Sequence, residues 1–285
     1  MNTVSIVGVG LIGGSFGLAL RKAGFEGEIL GISSVPAVEA GVRVGAISRR
    51  ATLEEAAAVA DLIYLAQPVD AILKTLEVLG PMMRRDCLVT DAGSTKEKIV
   101  QRACASLPAQ NFLGGHPLAG KEQRGAEAAD ADLFRDRPYV LTPCGQGSPS
   151  RAVPMTDEFR YWLRRIGART IEMLPSEHDA TVAITSHLPQ LISTALAVTL
   201  ANSDNTRADE VFGQGLLDMT RLSLSAPDLW QSILSSNKDE VSRAVDAFLK
   251  CLEALKNALD KPVLVPFFEE GAKFSRRIRT LPCTR

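Results

Sequence analysis

Histidine, net charge and regularly spaced cysteine are all scarce in this chain, and each scarcity excludes something. Its 285 residues include 32 Lys or Arg against 33 Asp or Glu, a formal net charge of −1. With no basic excess and no run of like charges, nucleic acid is not an expected partner. The five cysteines, Cys87, Cys104, Cys144, Cys251 and Cys283, show no CxxC spacing. That argues against a zinc site or any other metal and against a disulfide framework, and predicts reduced thiols in a cytoplasmic protein. The apolar runs read as too short or too interrupted to cross a bilayer, so no membrane partner is expected. The first strand pattern starts almost at Met1, which leaves no room for a signal peptide. Internal repeats and low-complexity segments are absent. The three histidines are His116, His178 and His187, so acid–base chemistry near neutral pH has few side chains to use.

What is present begins at the N-terminus. The apolar, β-branched run Val4–Val7 leads into Gly8-x-Gly10-x-x-Gly13, and Phe16, Leu18, Ala19 and Leu20 follow at helical spacing. Strand, tight turn and helix in that order form a dinucleotide-binding fingerprint. Gly8 permits the turn, Gly10 lets backbone approach a pyrophosphate, and Gly13 lets helix pack on strand. The helix N-terminus, opening with Leu11 and Ile12, offers N–H groups and partial positive charge to the phosphates. NAD or NADP is the implied cofactor. An NAD enzyme usually carries Asp or Glu at the end of the second strand for the ribose 2′-OH. Here Glu28–Ile32 is followed by Ser33 and Ser34. The missing acid leans towards NADP; the alternative is that the two serines cap the next helix, near Pro36.

Farther along, Thr52-Leu53-Glu54-Glu55 reads as a capping box. The strand at 61–66 ends at Gln67-Pro68, where Gln67 is a further cofactor-binding candidate. Ile72, Leu73, Leu76 and Leu79 mark a helix, and 87–91, 111–115, 139–142 and 169–173 read as strands. The alternation predicts an α/β Rossmann domain with a doubly wound, mainly parallel sheet. Past Leu174-Pro175 the texture changes to long helical patterns: Val182, Ile184, Leu188, Leu191, Ile192 and Leu196, then Val241, Val245, Phe248, Leu252 and Leu255. The boundaries expected are therefore 1–174 for the dinucleotide-binding domain and 175–285 for an all-α domain. Long apolar faces with little sheet to cover them predict a homodimer through the C-terminal helices.

Candidate chemistry sits at the strand ends. His116, in Gly114-Gly115-His116-Pro117-Leu118-Ala119-Gly120, reads as a loop residue directly after a strand, at the edge where open α/β sheets bind ligands. There it serves as a general base or as a satisfied loop histidine. Ser94 follows another strand end, and Ser94-x-x-Glu97 is also a capping box. In Ser186-His187-Leu188-Pro189-Gln190, Pro189 should kink a helix beside His187. Arg221 lies in an apolar neighbourhood, where burial demands either an internal acid or a substrate carboxylate. Trp230 reads as packing and His178 as a helix-start residue with no catalytic role.

Five segments occur in order: Gly8–Ser15, Asp91-Ala92-Gly93-Ser94-Thr95-Lys96, Gly114–Gly120, Ser186–Pro189 and Thr220-Arg221-Leu222. With them the chain resembles the prephenate/arogenate dehydrogenase family of tyrosine biosynthesis, from residue 3 to around residue 260. The resemblance implies a Rossmann domain, a helical dimerisation domain and an active site in the cleft between them. It implies that His116 accepts the ring-hydroxyl proton and that Ser94 hydrogen-bonds this histidine and the substrate hydroxyl. By the same resemblance Arg221 binds a substrate carboxylate and His187 helps bind substrate. Gln190, also expected at the substrate, stands where members often carry His, which bears on substrate preference and tyrosine sensitivity. No extension long enough for a fused mutase or regulatory domain is expected. The implied reaction is oxidative decarboxylation of prephenate to 4-hydroxyphenylpyruvate with hydride transfer to NAD(P)+. Arogenate dehydrogenation is the alternative, and a non-catalytic dinucleotide-sensing dimer a further one. Similar dehydrogenases that use an interdomain lysine fit less well, because 176–237 contains no lysine.

Overall fold

Strands covered on both faces need apolar residues at nearly every position, and the uninterrupted aliphatic runs of the N-terminal half supply them. In the computed structural model, which describes residues 1–144, 154–205, 207 and 210–280, β1 (Thr3–Val7) leads to α1 (Leu11–Lys22) and β2 (Glu28–Ile32) to α2 (Val35–Arg43). A short edge strand, β3 (Arg49–Arg50), precedes α3 (Leu53–Val59), β4 (Leu62–Leu65), α4 (Val69–Leu79), β5 (Leu88–Asp91) and α5 (Glu97–Ser106). Then come β6 (Phe112–Pro117), β7 (Pro138–Pro143), α6 (Pro154–Arg165) and β8 (Arg169–Glu172). The eight strands form one sheet ordered β3-β2-β1-β4-β5-β6-β7-β8. Every pairing is parallel except β6 with β7. The expected doubly wound sheet is present, with one antiparallel step. β3 was not anticipated, because two charged residues carry no strand pattern.

Alternate residues of each strand feed two cores. Leu62 and Tyr64 join Val4, Ile6 and Phe16 on one face, while Ile63 and Leu65 join Val7, Ile72 and Val89 on the other. Thr52 caps α3 as its capping box predicts, its Oγ1 accepting the Glu55 N–H at 3.2 Å. The cysteines depart from expectation. Cys104 on α5 and Cys144 just past β7 form a disulfide with Cα atoms 6.0 Å apart. Residues 40 apart in sequence meet because β7 returns antiparallel to β6, and no spacing rule encodes that. Cys87 is free and buried and Cys251 free and exposed; Cys283 lies outside the described residues.

The chain divides into two units, Met1–His178 and Asp179–Arg285. Among the described residues of the second there is no strand. Helix α7 (Pro175–Val182) passes through a π-helical turn, Ala183–His187, into α8 (Leu188–Ala201). Pro189 sits in the first turn of α8. It has no N–H to give the preceding turn, so the distortion falls there as a widened turn rather than a break. The helical stretch Pro175–Ala201 is consequently continuous over 27 residues, with a window of mean hydropathy 1.2. By length and composition alone it is sufficient to span a bilayer, contrary to the sequence reading. It nevertheless carries His178, Asp179, His187 and Gln190, all buried within the protein. After it come α9 (Gln214–Thr220), a 3₁₀ turn at Arg221–Leu224, α10 (Pro227–Ser236), α11 (Lys238–Lys256) and α12 (Leu264–Arg279). The core of this unit is small, centred on Ala183, Val241 and Ala244. Leu217, Met219, Leu252, Phe268 and Phe274 stand exposed.

Candidate functional site

Doubly wound sheets bind ligands at the carboxyl ends of the strands where the winding reverses. Here that point lies between β1 and β4, and the glycine turn occupies it. Gly8 has φ +98°, and a Cβ there would lie 2.6 Å from the Ala66 carbonyl oxygen, so only glycine fits between the turn and the end of β4. Gly13 is equally constrained: its Cβ would lie 2.1 Å from the Gly8 carbonyl oxygen. Gly10 differs, because nothing lies within 4 Å of the position a Cβ would take. Gly10 is the N-cap of α1, where the first N–H groups of a helix have no intrahelical partner, and the first turn carries no acid. The N–H groups of Leu11 and Ile12 are therefore available to an anion. Gln67 lies against Gly8 and accepts a hydrogen bond from Thr75 Oγ1 at 2.8 Å. Ser33 is half-buried and Ser34 exposed at the end of β2. Ser34 is the N-cap of α2 but makes no side-chain capping bond, so its hydroxyl is not used by the helix. The β2–β3 register sets Arg50 beside Gly31, a neighbour that sequence proximity could not reveal.

A buried carboxylate organises the next strand end. Asp91 closes β5, fully buried, and forms an ion pair with the equally buried Lys96. Its Oδ2 also accepts the Gly93 N–H at 2.8 Å, and its Oδ1 accepts the Gly115 N–H at 3.1 Å. One side chain thereby fixes the backbone one residue before Ser94 and one residue before His116. Sequence reasoning missed both Asp91 and Lys96; the unbroken Asp91–Lys96 segment was in view, but not that its charges face inward. Ser94 itself is half-buried. It does not cap α5, which starts at Glu97 with Lys96 as N-cap. Beneath this end of the sheet, Tyr139 donates to Tyr64 at 3.2 Å, and burial pushes both phenols well above their ordinary range, so both stay neutral.

His116 lies within a strand, which corrects its reading as a loop residue. It pairs with Val140 across the antiparallel β6–β7 ladder. The parallel β5–β6 register ends at Thr90 and Leu113, so β6 runs on past β5 and carries His116 beyond its end. His116 as a residue is 8 % exposed, and its ring meets His178, His116 Nδ1 to His178 Nε2 being 2.8 Å with ring planes at 72°. His178, on α7, is completely buried. Its only signal in the sequence was the rarity of histidine.

In the second unit His187 is buried, its Nδ1 3.4 Å from Asn237 Nδ2, and it packs edge-on to Trp230 at 5.9 Å. Asn237 Nδ2 also donates to the Asp179 carbonyl at 2.8 Å. Gln190 Nε2 donates to the Leu222 carbonyl at 2.8 Å, and Ser193 Oγ accepts the Ser223 N–H at 3.1 Å. These two bonds hold the Arg221–Leu224 turn against α8. Gln190 Oε1 is buried and accepts no hydrogen bond among the described residues. Arg221 is exposed, so the argument from the cost of burying it does not hold. Its apolar neighbours Leu217, Met219 and Leu224 are exposed as well. No group of three or more metal-ligating side chains occurs among the described residues.

Two family models match the chain: the nucleotide-binding domain of prephenate dehydrogenase over residues 16–172 and its dimerization domain over 174–269. A prephenate dehydrogenase of Bacillus subtilis is 33 % identical over 91 % of this chain and 71 % of its own length. A cyclohexadienyl dehydrogenase of Zymomonas mobilis is 29 % identical over 97 % of this chain and 96 % of its own. Among solved structures, a prephenate dehydrogenase from A. aeolicus in complex with hydroxyphenyl propionate and NAD+ superposes with a TM-score of 0.88, at 32 % identity and 98 % coverage of both chains.

Proposed function

The chain belongs to the prephenate dehydrogenase family, and from that premise we infer an NAD(P)-dependent oxidoreductase that converts prephenate to 4-hydroxyphenylpyruvate. The observation that carries the residue roles is the Asp91 carboxylate, which ties the Ser94 loop and the His116 strand together at the ligand edge of the sheet. Prephenate is a cyclohexadiene with a ring carboxylate and, opposite it, a hydroxyl. His116 Nε2 takes the hydroxyl proton, and Ser94 Oγ orients that hydroxyl. The guanidinium of Arg221 binds a substrate carboxylate through its bidentate fork. Its turn is positioned by Gln190, while His187 shapes the pocket wall with Trp230. Loss of carbon dioxide makes the ring aromatic, so the protein needs alignment and a matched base rather than a strongly stabilised intermediate. Positioned proton transfer of this kind typically contributes about 10²–10⁴-fold.

Gly8, Gly10 and Gly13 with the N-terminus of α1 fit a dinucleotide pyrophosphate, because a Cβ at Gly10 would point into open space at the start of a helix whose first turn carries no acid. Held there, NAD(P)+ would supply the hydride acceptor for oxidation of the carbinol carbon. Between the two cofactors the reading leans to NADP. Ser33 and Ser34 present no carboxylate to repel a 2′-phosphate, and Arg50 stands one strand away. The exposed apolar residues of α9 and α12 support a homodimer through the helical unit. A cytoplasmic location, shared with substrate and cofactor, completes the reading.

The test is a steady-state assay of prephenate or arogenate, each with NAD or NADP, following reduced cofactor by absorbance, with His116→Ala as control. Turnover with prephenate, lost in the variant while cofactor still binds, is the expected result. Turnover with arogenate alone would overturn the substrate, and unchanged turnover in His116→Ala would remove that residue from the reaction.

A further inference from the structure

We propose that His178 is a positioning residue that selects the base-competent tautomer of His116. The inference rests on reading His116 as the proton acceptor.

His116 Nδ1 and His178 Nε2 lie 2.8 Å apart, so one proton lies between them and one ring donates it. If His178 donates, the neutral His116 ring must carry its own proton on Nε2. That nitrogen then has no lone pair for a substrate hydroxyl. If His116 donates from Nδ1, its Nε2 is bare and basic, and His178 carries its own proton on Nδ1. The contact therefore separates a competent from an incompetent state of the same neutral ring, since the bond made by one imidazole nitrogen decides what the other can do. A free histidine side chain favours the Nε2–H form, the wrong one for this task; an acceptor held at Nδ1 reverses the preference.

The surroundings suit that role. His178 is fully buried and His116 nearly so, and a hydrogen bond in a dry site is stronger than one in water. His116 is held on β6 by the Val140 pairing and by the Asp91 bond to the adjacent Gly115 N–H, so the distance is set by rigid elements. When His116 takes the substrate proton, its Nδ1–H bond to His178 becomes charge-assisted, a class roughly twice as strong as a neutral bond. Two N–H groups cannot face each other across this distance, so His178 remains neutral while His116 is charged. The logic is that of the third member of a serine-protease triad, with a neutral imidazole in place of a carboxylate.

The experiment combines kinetics with histidine ¹⁵N NMR of the full-length protein at mildly alkaline pH, where three histidines give a spectrum assignable by single substitutions. In the parent protein His116 should show the Nδ1–H tautomer. In His178→Phe it should move towards Nε2–H, with kcat lowered on the order of 10- to 100-fold, the range found when the hydrogen-bond partner that orients a metal-bound imidazole is removed, and with little change in KM. His178→Gln, whose Oε1 can accept where Nε2 did, should recover a large part of kcat and the parent tautomer. An Nε2–H tautomer in the parent protein would overturn the proposal even if His178→Phe failed to fold. So would a His178→Gln variant no better than His178→Phe with the His116 tautomer unmoved, the signature of a merely structural residue. Because the tautomer is read without turnover, its failure is distinguishable from failure of the base reading, which His116→Ala tests by activity.

Discussion

Replacing Asp91 by Asn preserves the side chain's shape and removes its charge, and the surroundings define the cost. Both Asp91 and Lys96 are fully buried, so the substitution removes the Asp91 charge from beside an ammonium held in the interior. The amide cannot satisfy its neighbours either. Three donors converge on the carboxylate: the Lys96 ammonium and the Gly93 N–H on Oδ2, and the Gly115 N–H on Oδ1. Whichever way the Asn side chain turns, its NH₂ faces at least one of them. Removing one member of a buried ion pair typically costs about 3–5 kcal/mol, a large share of the roughly 5–15 kcal/mol that holds a domain together. For a unit of this size that corresponds to a fall in Tm on the order of 6–20 °C. The two tryptophans make the assay specific, because Trp162 lies in the first unit and Trp230 in the second. In a Trp230→Phe background, urea unfolding followed by fluorescence reads the first unit alone. Lys96→Met added to Asp91→Asn removes that ammonium as well, so the double variant should be more stable than the sum of the single losses, with a coupling of about 0.5–3 kcal/mol. An Asp91→Asn loss within about 1 kcal/mol, the range of an exposed pair, or strict additivity in the double variant, would refute the reasoning.

Gly13→Ala and Gly10→Ala should separate folding from binding. The Gly13 Cβ would meet backbone at 2.1 Å and should destabilise the unit by about 1–3 kcal/mol, as overpacking does. Gly10→Ala should leave stability unchanged and weaken dinucleotide binding; parental affinity by calorimetry would remove Gly10 from the cofactor site. Ser34→Asp should shift the NADP/NAD ratio of kcat/KM towards NAD, and Arg50→Ala should lower the NADP value more than the NAD value; a ratio unmoved by either change would sink the 2′-phosphate reading. Non-reduced protein should alkylate at once on exposed Cys251 and slowly on Cys87, whose thiol burial pushes up to about 12. Reductant should free Cys104 and Cys144 and destabilise the fold by up to about 4 kcal/mol, the chain-entropy value for a closed loop of 40 residues. Mass analysis showing all five cysteines alkylated without reductant would contradict the linkage.

Short-range signals determined much of this protein. The spacing Gly8, Gly10, Gly13 after an aliphatic run was enough for the strand, turn and helix at the switch point. The Thr52 capping box, the buried strands and the change to helices near residue 174 were equally local, since each rests on backbone preferences and on which face of a short segment is apolar. The motifs around Ser94, His116, His187 and Arg221 were visible as well. What those residues touch was decided only by the tertiary structure. The antiparallel return of β7 put His116 inside a strand and brought Cys144 to Cys104. The sheet order set Arg50 beside β2. His178 reaches His116 from 62 residues away, and Asp91 reaches Gly115 from 24. The distortion expected at Pro189 took the form of a π turn in the preceding residues, and Arg221 lies exposed although its neighbours are apolar. In each case the deciding energy is a contact between segments far apart in the chain, and local pattern carries no record of which distant partner a side chain will meet.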